Sequence, residues 1–395
     1  MKSKYLQLVN IVLVLHLSHG WNSRVPTRVE RSPHIALSAR DDNNHLEPIN
    51  TSRRKWLGGA LSFVGGSMLC PILCPVLPSN AAEAVKTGSV CDASVSVFQK
   101  GGRVVYLLGT AHVSSSSAEL AGKLVVDTQP KGVFVELDPK RVKGSGILAR
   151  RVSIDETTGQ EVEVPSSKVI VPNIQMLTST SQPSAAGEDA PSRPVSVAPI
   201  SKPSPMMQAA GAAVGNSIKG MYKKLDSAGF NAGEEFVIAI REGQKIGADI
   251  VLGDRDVEVT LQRVAEALSK TDINTLLKPD SELEQSLKEL VPNNVAANKD
   301  GDLSDAQYRQ DFSDFVETVK QKDKVRQIMG QLKRVAPEIH TALLTERDAY
   351  MAAGLNGLDE IESIVAVVGI AHVDGIEQSL AMNGWKPASL RCPAI

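Results

Sequence analysis

Two apolar runs near opposite ends of the chain repeat one pattern. Arg103-Val-Val-Tyr-Leu-Leu-Gly-Thr-Ala-His-Val113 and Ile364-Val-Ala-Val-Val-Gly-Ile-Ala-His-Val373 both pass from a Val/Ile/Leu-rich stretch into Gly-x-Ala-His-Val. Short continuous apolar runs of this kind predict strands buried on both faces. Each strand then ends in a flexible glycine with a histidine three residues on. Residues 95–98 and 103–108 flank Lys100-Gly101-Gly102, which predicts a hairpin. The serines from Ser114 to Ser117 offer helix N-caps, and Ala118 to Val126 has helical spacing. Pro130-Lys-Gly132 breaks that helix, and Val133-Phe-Val-Glu-Leu137 predicts a second buried strand. Strand, helix, strand in that order implies a βαβ unit with parallel pairing.

From 144 to 205 the pattern dissolves into Ser, Thr, Pro and Ala. Such a stretch buries too little to offset its ordering entropy and reads as a disordered insert. An exposed β-ribbon over 151–171, where Val162, Val164, Val169 and Val171 recur, is the alternative there. A helical run resumes near Met206 and leads into a helix from 233 to 246 closed by Gly247. Asp249-Ile-Val-Leu252 is a third buried strand, and Asp256 caps a helix over 257–268. Residues 271–300 are polar. Asn298-Lys-Asp-Gly-Asp302 looks like a calcium loop, but with Gly301 at loop position six, Ala296 and Gln307 fall where ligands are needed. Residues 304–353 predict one or two long helices interrupted by Pro337. The expected fold is α/β, a mostly parallel sheet flanked by helices with paired Gly-x-x-His strand ends. It is expected to form one domain from 88–143 and 206–390.

Charge changes the picture at the N-terminus. Residues 1–80 hold nine Lys/Arg and four Asp/Glu, which leaves 34 against 41 of the chain's 43 and 45 for the remainder. An acidic body argues against nucleic acid as a partner. The first eighty residues read as addresses. Lys2 and Lys4 precede an apolar run from Leu6 to Leu17, as in a secretory signal peptide. Arg24, Arg28, Arg31 and Arg40 against Glu30 alone suit a transit peptide. Ser52-Arg53-Arg54-Lys55-Trp56-Leu57 matches a twin-arginine signal, and Asn80-Ala81-Ala82 suits cleavage. Stacked in that order, the three resemble the leaders of thylakoid-lumen proteins in algae with secondary plastids, with the twin-arginine machinery as a partner. The alternative is a membrane anchor formed by 56–78, whose Gly and Pro content makes it a mediocre span. Cys91 and Cys392, one at each end of the mature chain, either pair in an oxidising lumen or are two unrelated thiols.

Beyond residue 80 the chain has three histidines, His112, His340 and His372, and two share the strand-end context. With Glu136, Asp254, Arg255, Glu346 and Arg347 they form the candidate constellation. A parallel sheet gathers the ends of its strands on one rim, where ligands bind. Two imidazoles and a carboxylate can hold a divalent ion, and a carboxylate can act as base. An arginine can hold an oxyanion. Glu346-Arg347 alone reads first as an ordinary pair on a helix surface.

At these residues the chain resembles the TraB family, which is similar to the Tiki proteins and erythromycin esterases. The motifs are Gly-Thr-Ala-His-Val-Ser at 109–114, Val-Glu-Leu-Asp-x-x-Arg at 135–141 and Gly-x-Glu-Phe at 233–236. Three more follow: Gly-Asp-Arg-Asp at 253–256, Glu-Arg-Asp-x-Tyr-Met-Ala at 346–352 and Val-Val-Gly-x-Ala-His-Val at 367–373. The resemblance implies a TraB/Tiki-like α/β pocket lined by His112, His372, Glu136 and either Arg255 or Arg347. Glu235 and Glu346 fall at further acidic positions. It also implies a hydrolase of peptides or small molecules that uses Mn, Co or Zn at His112, His372 and Glu136. A metal-free histidine mechanism and a non-catalytic peptide-sequestering or membrane-tethering protein are the alternatives.

Overall fold

The two repeated runs lie side by side. The computed structural model describes residues 88–112, 115–143, 145–148, 152–154, 161–163, 167–172, 174, 233–271, 306–388 and 392, with Pro205 and Gln285. In it, strand β2 (Arg103–Thr110) pairs in parallel with β8 (Ser363–Gly369), from Val104 opposite Ser363 to Thr110 opposite Gly369. Both runs carry apolar side chains at nearly every position because both faces are covered. Along β8, Ile364, Ala366 and Val368 belong to one core, Val365 and Val367 to the other.

The other strands complete one sheet of order β6-β7-β3-β8-β2-β1-β9. They are β1 (Val95–Lys100), β3 (Gly132–Val135), β6 (Val169–Ile170), β7 (Asp249–Leu252) and β9 (Lys386–Pro387). Strands β6, β7, β3, β8 and β2 run parallel. The hairpin partner β1 runs antiparallel to β2, and β9 antiparallel to β1. A mostly parallel α/β sheet is what the run pattern predicts. The βαβ expectation is corrected in one respect: β2 and β3 are parallel but not neighbours, because β8 enters between them.

One face of the sheet carries α1 (Ser115–Thr128) and α3 (Glu234–Lys245), the latter closed by Gly247 at φ 72°. The short α2 (Pro139–Val142) follows β3 and is capped by Asp138. The opposite face carries α4 (Val257–Lys270), capped by Asp256, and α5 (Ala306–Val319) and α6 (Lys322–Val335). Pro337 does interrupt this helical stretch, yet the expected one or two helices are several. A single turn α7 (Pro337–His340) widens into a π-helical turn, Thr341–Thr345, before α8 (Glu346–Asn356). After β8, α9 (Ile370–Met382) returns across the same face.

The expectation of a disordered insert is corrected in part. Within 144–205, β4 (Val152–Ile154) and β5 (Glu161–Glu163) pair as a ribbon, and β6 extends the main sheet. The remainder of the insert lies outside the described residues apart from a few positions, as do residues 1–80, where the targeting signals are expected, and the stretches 206–232 and 272–284. Cys91 and Cys392 form a disulfide that ties the start of the described chain to its end.

Candidate active site

Parallel pairing brings the carboxyl ends of β2, β8, β3 and β7 to one rim. Gly109 makes the tightest seat there. A Cβ on it would fall 2.7 Å from Val373 Cγ2 and 3.2 Å from the Ile370 backbone, so this glycine provides close packing of α9 rather than flexibility. His112 and His372 leave adjacent strand ends, and both are fully buried.

Each imidazole is anchored through Nδ1 by a carboxylate. His112 Nδ1 lies 2.6 Å from Glu235 Oε1, and His372 Nδ1 lies 2.5 Å from Asp348 Oδ1. The Gly-x-Glu-Phe motif surrounds His112. The Gly233 N–H donates to the His112 carbonyl at 2.8 Å, Glu235 takes the ring nitrogen, and the Phe236 ring lies 5.3 Å from the imidazole. Glu136 emerges one residue past β3, between the two histidines. Its Oε2 accepts from the Gly369 N–H at 2.7 Å and lies 4.0 Å from His112 Nε2, while its Oε1 is 3.4 Å from His372 Nε2. His112 Nε2 is buried without a hydrogen-bond partner.

Arg347 closes the cluster from α8. Its Nη2 donates to Glu136 Oε1 and, at 2.8 Å, to Asp254 Oδ2, and its Nη1 is 3.0 Å from His372 Nε2. Asp254 continues to Arg141, which donates from Nε to Asp138 at 2.5 Å. The surface-pair expectation for Glu346 and Arg347 is therefore overturned: the two are 2% and 0% exposed. Of the two arginines the family pattern allowed, Arg347 meets Glu136 and His372. Arg255 lies behind it and donates to Glu346 at 2.7 Å.

Burial pushes the Glu136 carboxyl up, but His372, Arg347 and His112 outweigh it and hold it well below the usual carboxylate range. Burial likewise acts upward on Asp254, yet Arg347 and Arg141 hold it down at about 2. For His372, burial pulls down while Glu136 and Asp348 push up, to about 9. The Arg347 Nη1 contact is a hydrogen bond only if His372 Nε2 keeps its lone pair, which opposes that direction. Two carboxylates flank the ring against one guanidinium, so upward is the direction that stands. Burial also raises the Asp348 carboxyl, against the pull of His372. One proton is thus held along the Asp348–His372 contact.

Whether a divalent ion suits these residues can be tested on charge. Glu136, Asp138 and Asp254 face Arg141 and Arg347, Asp348 faces the His372 ring whose pKa is raised, and Glu235 faces His112. The carboxylates therefore outnumber these cations by two before His112 is counted. Buried carboxylates in excess require protons or another cation. Both histidines have Nδ1 fixed by a carboxylate, the arrangement that directs Nε2 to an ion. The donor set fits in kind. Among the described residues no three such side chains converge on one point as they stand, and the Arg347 guanidinium lies between Glu136 and His372.

Asp348 is the site residue that the sequence pattern alone did not single out. Its signal is the run Glu346-Arg347-Asp348 itself, since three successive charges between apolar neighbours cannot all face one side of a helix.

Comparison with known proteins gives the same grouping. Residues 231–387 match the model of the TraB/PrgY/gumN family. The chain is similar to an uncharacterized protein of Methanocaldococcus jannaschii, 28% identical over 284 residues, covering 70% of this chain and 53% of that protein. It is also similar to TraB domain-containing proteins of Homo sapiens and Mus musculus, 25% and 27% identical over 304 residues. Those matches cover 72% of this chain and 64% of each relative. The chain thus spans between half and two thirds of the length of these relatives.

Proposed function

The chain belongs to the TraB/PrgY/gumN family, and from that premise we propose that it is a hydrolase cleaving amide or ester bonds of peptides, with His112 as general base. The observation that carries the reading is the unpartnered His112 Nε2, buried opposite Glu136 while Glu235 fixes Nδ1. A carboxylate on Nδ1 sets the tautomer and leaves Nε2 to take a proton from water. Arg347 Nη1 lies 3.0 Å from His372 Nε2, and a protonated His372 gives up that hydrogen bond and sets two cationic donors side by side. Such a pair stabilises a carbonyl oxygen that develops negative charge. Glu136 holds both cations in place. Peptides as the substrate class rest on the resemblance to the Tiki branch.

A second reading is supported by the carboxylate excess. His112, His372 and Glu136 would hold a divalent ion such as Mn, Co or Zn, with Glu235 and Asp348 orienting the imidazoles. An ion there supplies Lewis acidity at the bond to be cleaved.

The disulfide supports an oxidising compartment, and with the three stacked leader signals it favours export to the thylakoid lumen. No helix among the described residues is long and apolar enough to cross a membrane. Residues 56–78 lie outside them.

The test is hydrolysis of a peptide library by the purified mature chain, with and without chelator, beside its metal content. Turnover that survives chelation supports the histidine mechanism, and turnover that follows metal content supports the second reading. Capture of a peptide without cleavage overturns both in favour of a binding protein.

A further inference from the structure

The ion pair Asp254–Arg347 has a second pair, Arg255–Glu346, directly beside it. Arg255 follows Asp254 and Glu346 precedes Arg347, so neighbouring residues of the same two segments form two buried pairs. The first pair faces Glu136. The second faces away from it, with Arg255 1% exposed and its guanidinium bonded to the framework. Its Nε donates to Thr260 at 3.0 Å, Nη1 to Glu346 at 2.7 Å and Nη2 to the Ala342 carbonyl at 2.6 Å.

Ala342 belongs to the π-helical turn that delivers α8. The Glu346 N–H reaches back to the Thr341 carbonyl, one residue further than in an α-helix. A widened turn shifts the phase of everything after it and leaves carbonyls to outside donors, here to Arg255 and, at 3.5 Å, to Arg347 itself. Such turns are rare and persist where the surroundings hold them. Arg263 of α4 clamps the other edge of Glu346, at 2.5 Å from Nη2 to Oε1. It borders a surface cavity of about 230 Å³ also lined by Lys270, Pro337 and Thr341.

The geometry points to Arg255 and Glu346 as positioning residues. Their ion pair, anchored on the Ala342 carbonyl, holds the π turn and so sets where the Arg347 guanidinium meets Glu136 and His372. They touch neither histidine nor Glu136 and act through Arg347. The catalytic meaning of that placement rests on the hydrolase reading; the placement itself does not.

The experiment uses the full mature chain labelled with ¹⁵N-arginine, the Arg347 Nε–H resonance being assigned by its loss in Arg347→Lys. Arg255→Lys keeps the charge and removes the fork, and Glu346→Gln keeps the shape and removes the charge. Both are expected to move the Arg347 resonance and speed its exchange while circular dichroism stays that of the wild type. Arg263→Gln, at a partly exposed side chain, is expected to do the same to a smaller degree and guards against a buried variant that fails to fold. If the wild type hydrolyses peptides, kcat should fall at least about tenfold in Glu346→Gln with KM little changed. An Arg347 resonance unmoved in folded Glu346→Gln and Arg263→Gln overturns the proposal. A wild type that cleaves nothing overturns the hydrolase reading alone, because the resonance still reports the placement.

Discussion

Gly375 of α9 packs so closely on Asp348 of α8 that a Cβ on the glycine would fall 2.6 Å from the aspartate Cγ. The absent side chain makes the space in which Asp348 reaches His372 Nδ1. Gly→Ala inside a helix ordinarily stabilises by up to about 1 kcal/mol. At Gly375 overpacking of roughly 1–3 kcal/mol outweighs that gain. Gly375→Ala should therefore lower stability and displace Asp348 from His372. Gly330→Ala in α6, where a new Cβ meets nothing within 4 Å, should raise stability instead. Urea unfolding of the two variants checks the opposite signs, and His372 ring resonances should change only in the first.

The disulfide closes a separation of 301 residues and holds the end of the chain near β9 on the sheet edge. Removing a native disulfide typically costs about 2–5 kcal/mol. Cys392→Ser should lower the thermal midpoint, and thiol reductant should lower it in the wild type but not further in the variant. Val95, at the start of β1, lies opposite Leu108 near the carboxyl end of β2, so Cys91 enters the sheet from the end that carries the histidine rim.

The sheet was legible because β2 and β8 are continuous Val/Ile/Leu runs, a pattern that burial on both faces demands. Glu136 was legible for the converse reason, as a carboxylate inside such a run. The neighbour relation of β2 and β8 was not, since no local pattern says that a strand from residue 363 enters between two strands formed before residue 136. Arg347 misleads in sequence because a charged pair on a helix is usually solvated, and nothing local shows that α8 is enclosed. The π turn is hidden for a related reason. Thr-Ala-Leu-Leu-Thr reads as ordinary helix, and the extra residue is held by Arg255, which is far away in sequence.

His340 offers a pH test remote from the rim. Burial and then Lys333 pull its pKa down to about 4 from 6.5. As pH falls from 6.5 the unfolded chain takes up a proton that the folded chain refuses until about 4, so this histidine makes stability fall across that window. His340→Gln should flatten the acid limb between pH 6.5 and 4 and leave stability at pH 8 comparatively unchanged. Chemical unfolding at pH 5 and pH 8 measures it, and an unchanged acid limb would count against the burial of this ring.

The address can be checked independently of chemistry. A fluorescent fusion to residues 1–80 should reach the plastid interior. Arg53→Lys with Arg54→Lys should strand it in the stroma, because twin-arginine export reads the guanidinium pair. Secretion of the intact fusion, or a cytosolic signal, would exclude the lumen.

Glu235 and Glu136 should separate when each is changed to glutamine, because they meet His112 from opposite sides. Glu235 accepts from Nδ1 at 2.6 Å, and a glutamine there can present its amide N–H and turn the ring to the other tautomer. The proton then sits on Nε2, where the base must be empty, and turnover should fall by about 10²–10⁴ with substrate binding little altered. Glu136→Gln instead removes the charge that holds Arg347 in place and His372 charged. Its loss should appear at the oxyanion side, with the alkaline limb of the rate profile moved to lower pH because the Glu136 charge no longer raises His372. Metal binding divides the two readings further. If an ion is held by His112, His372 and Glu136, then Glu136→Gln loses it outright while Glu235→Gln only weakens it, and His340→Ala leaves it intact. If neither glutamine variant differs from the wild type in rate or in metal content, His112 is a buried structural imidazole, and the hydrolase assignment fails with it.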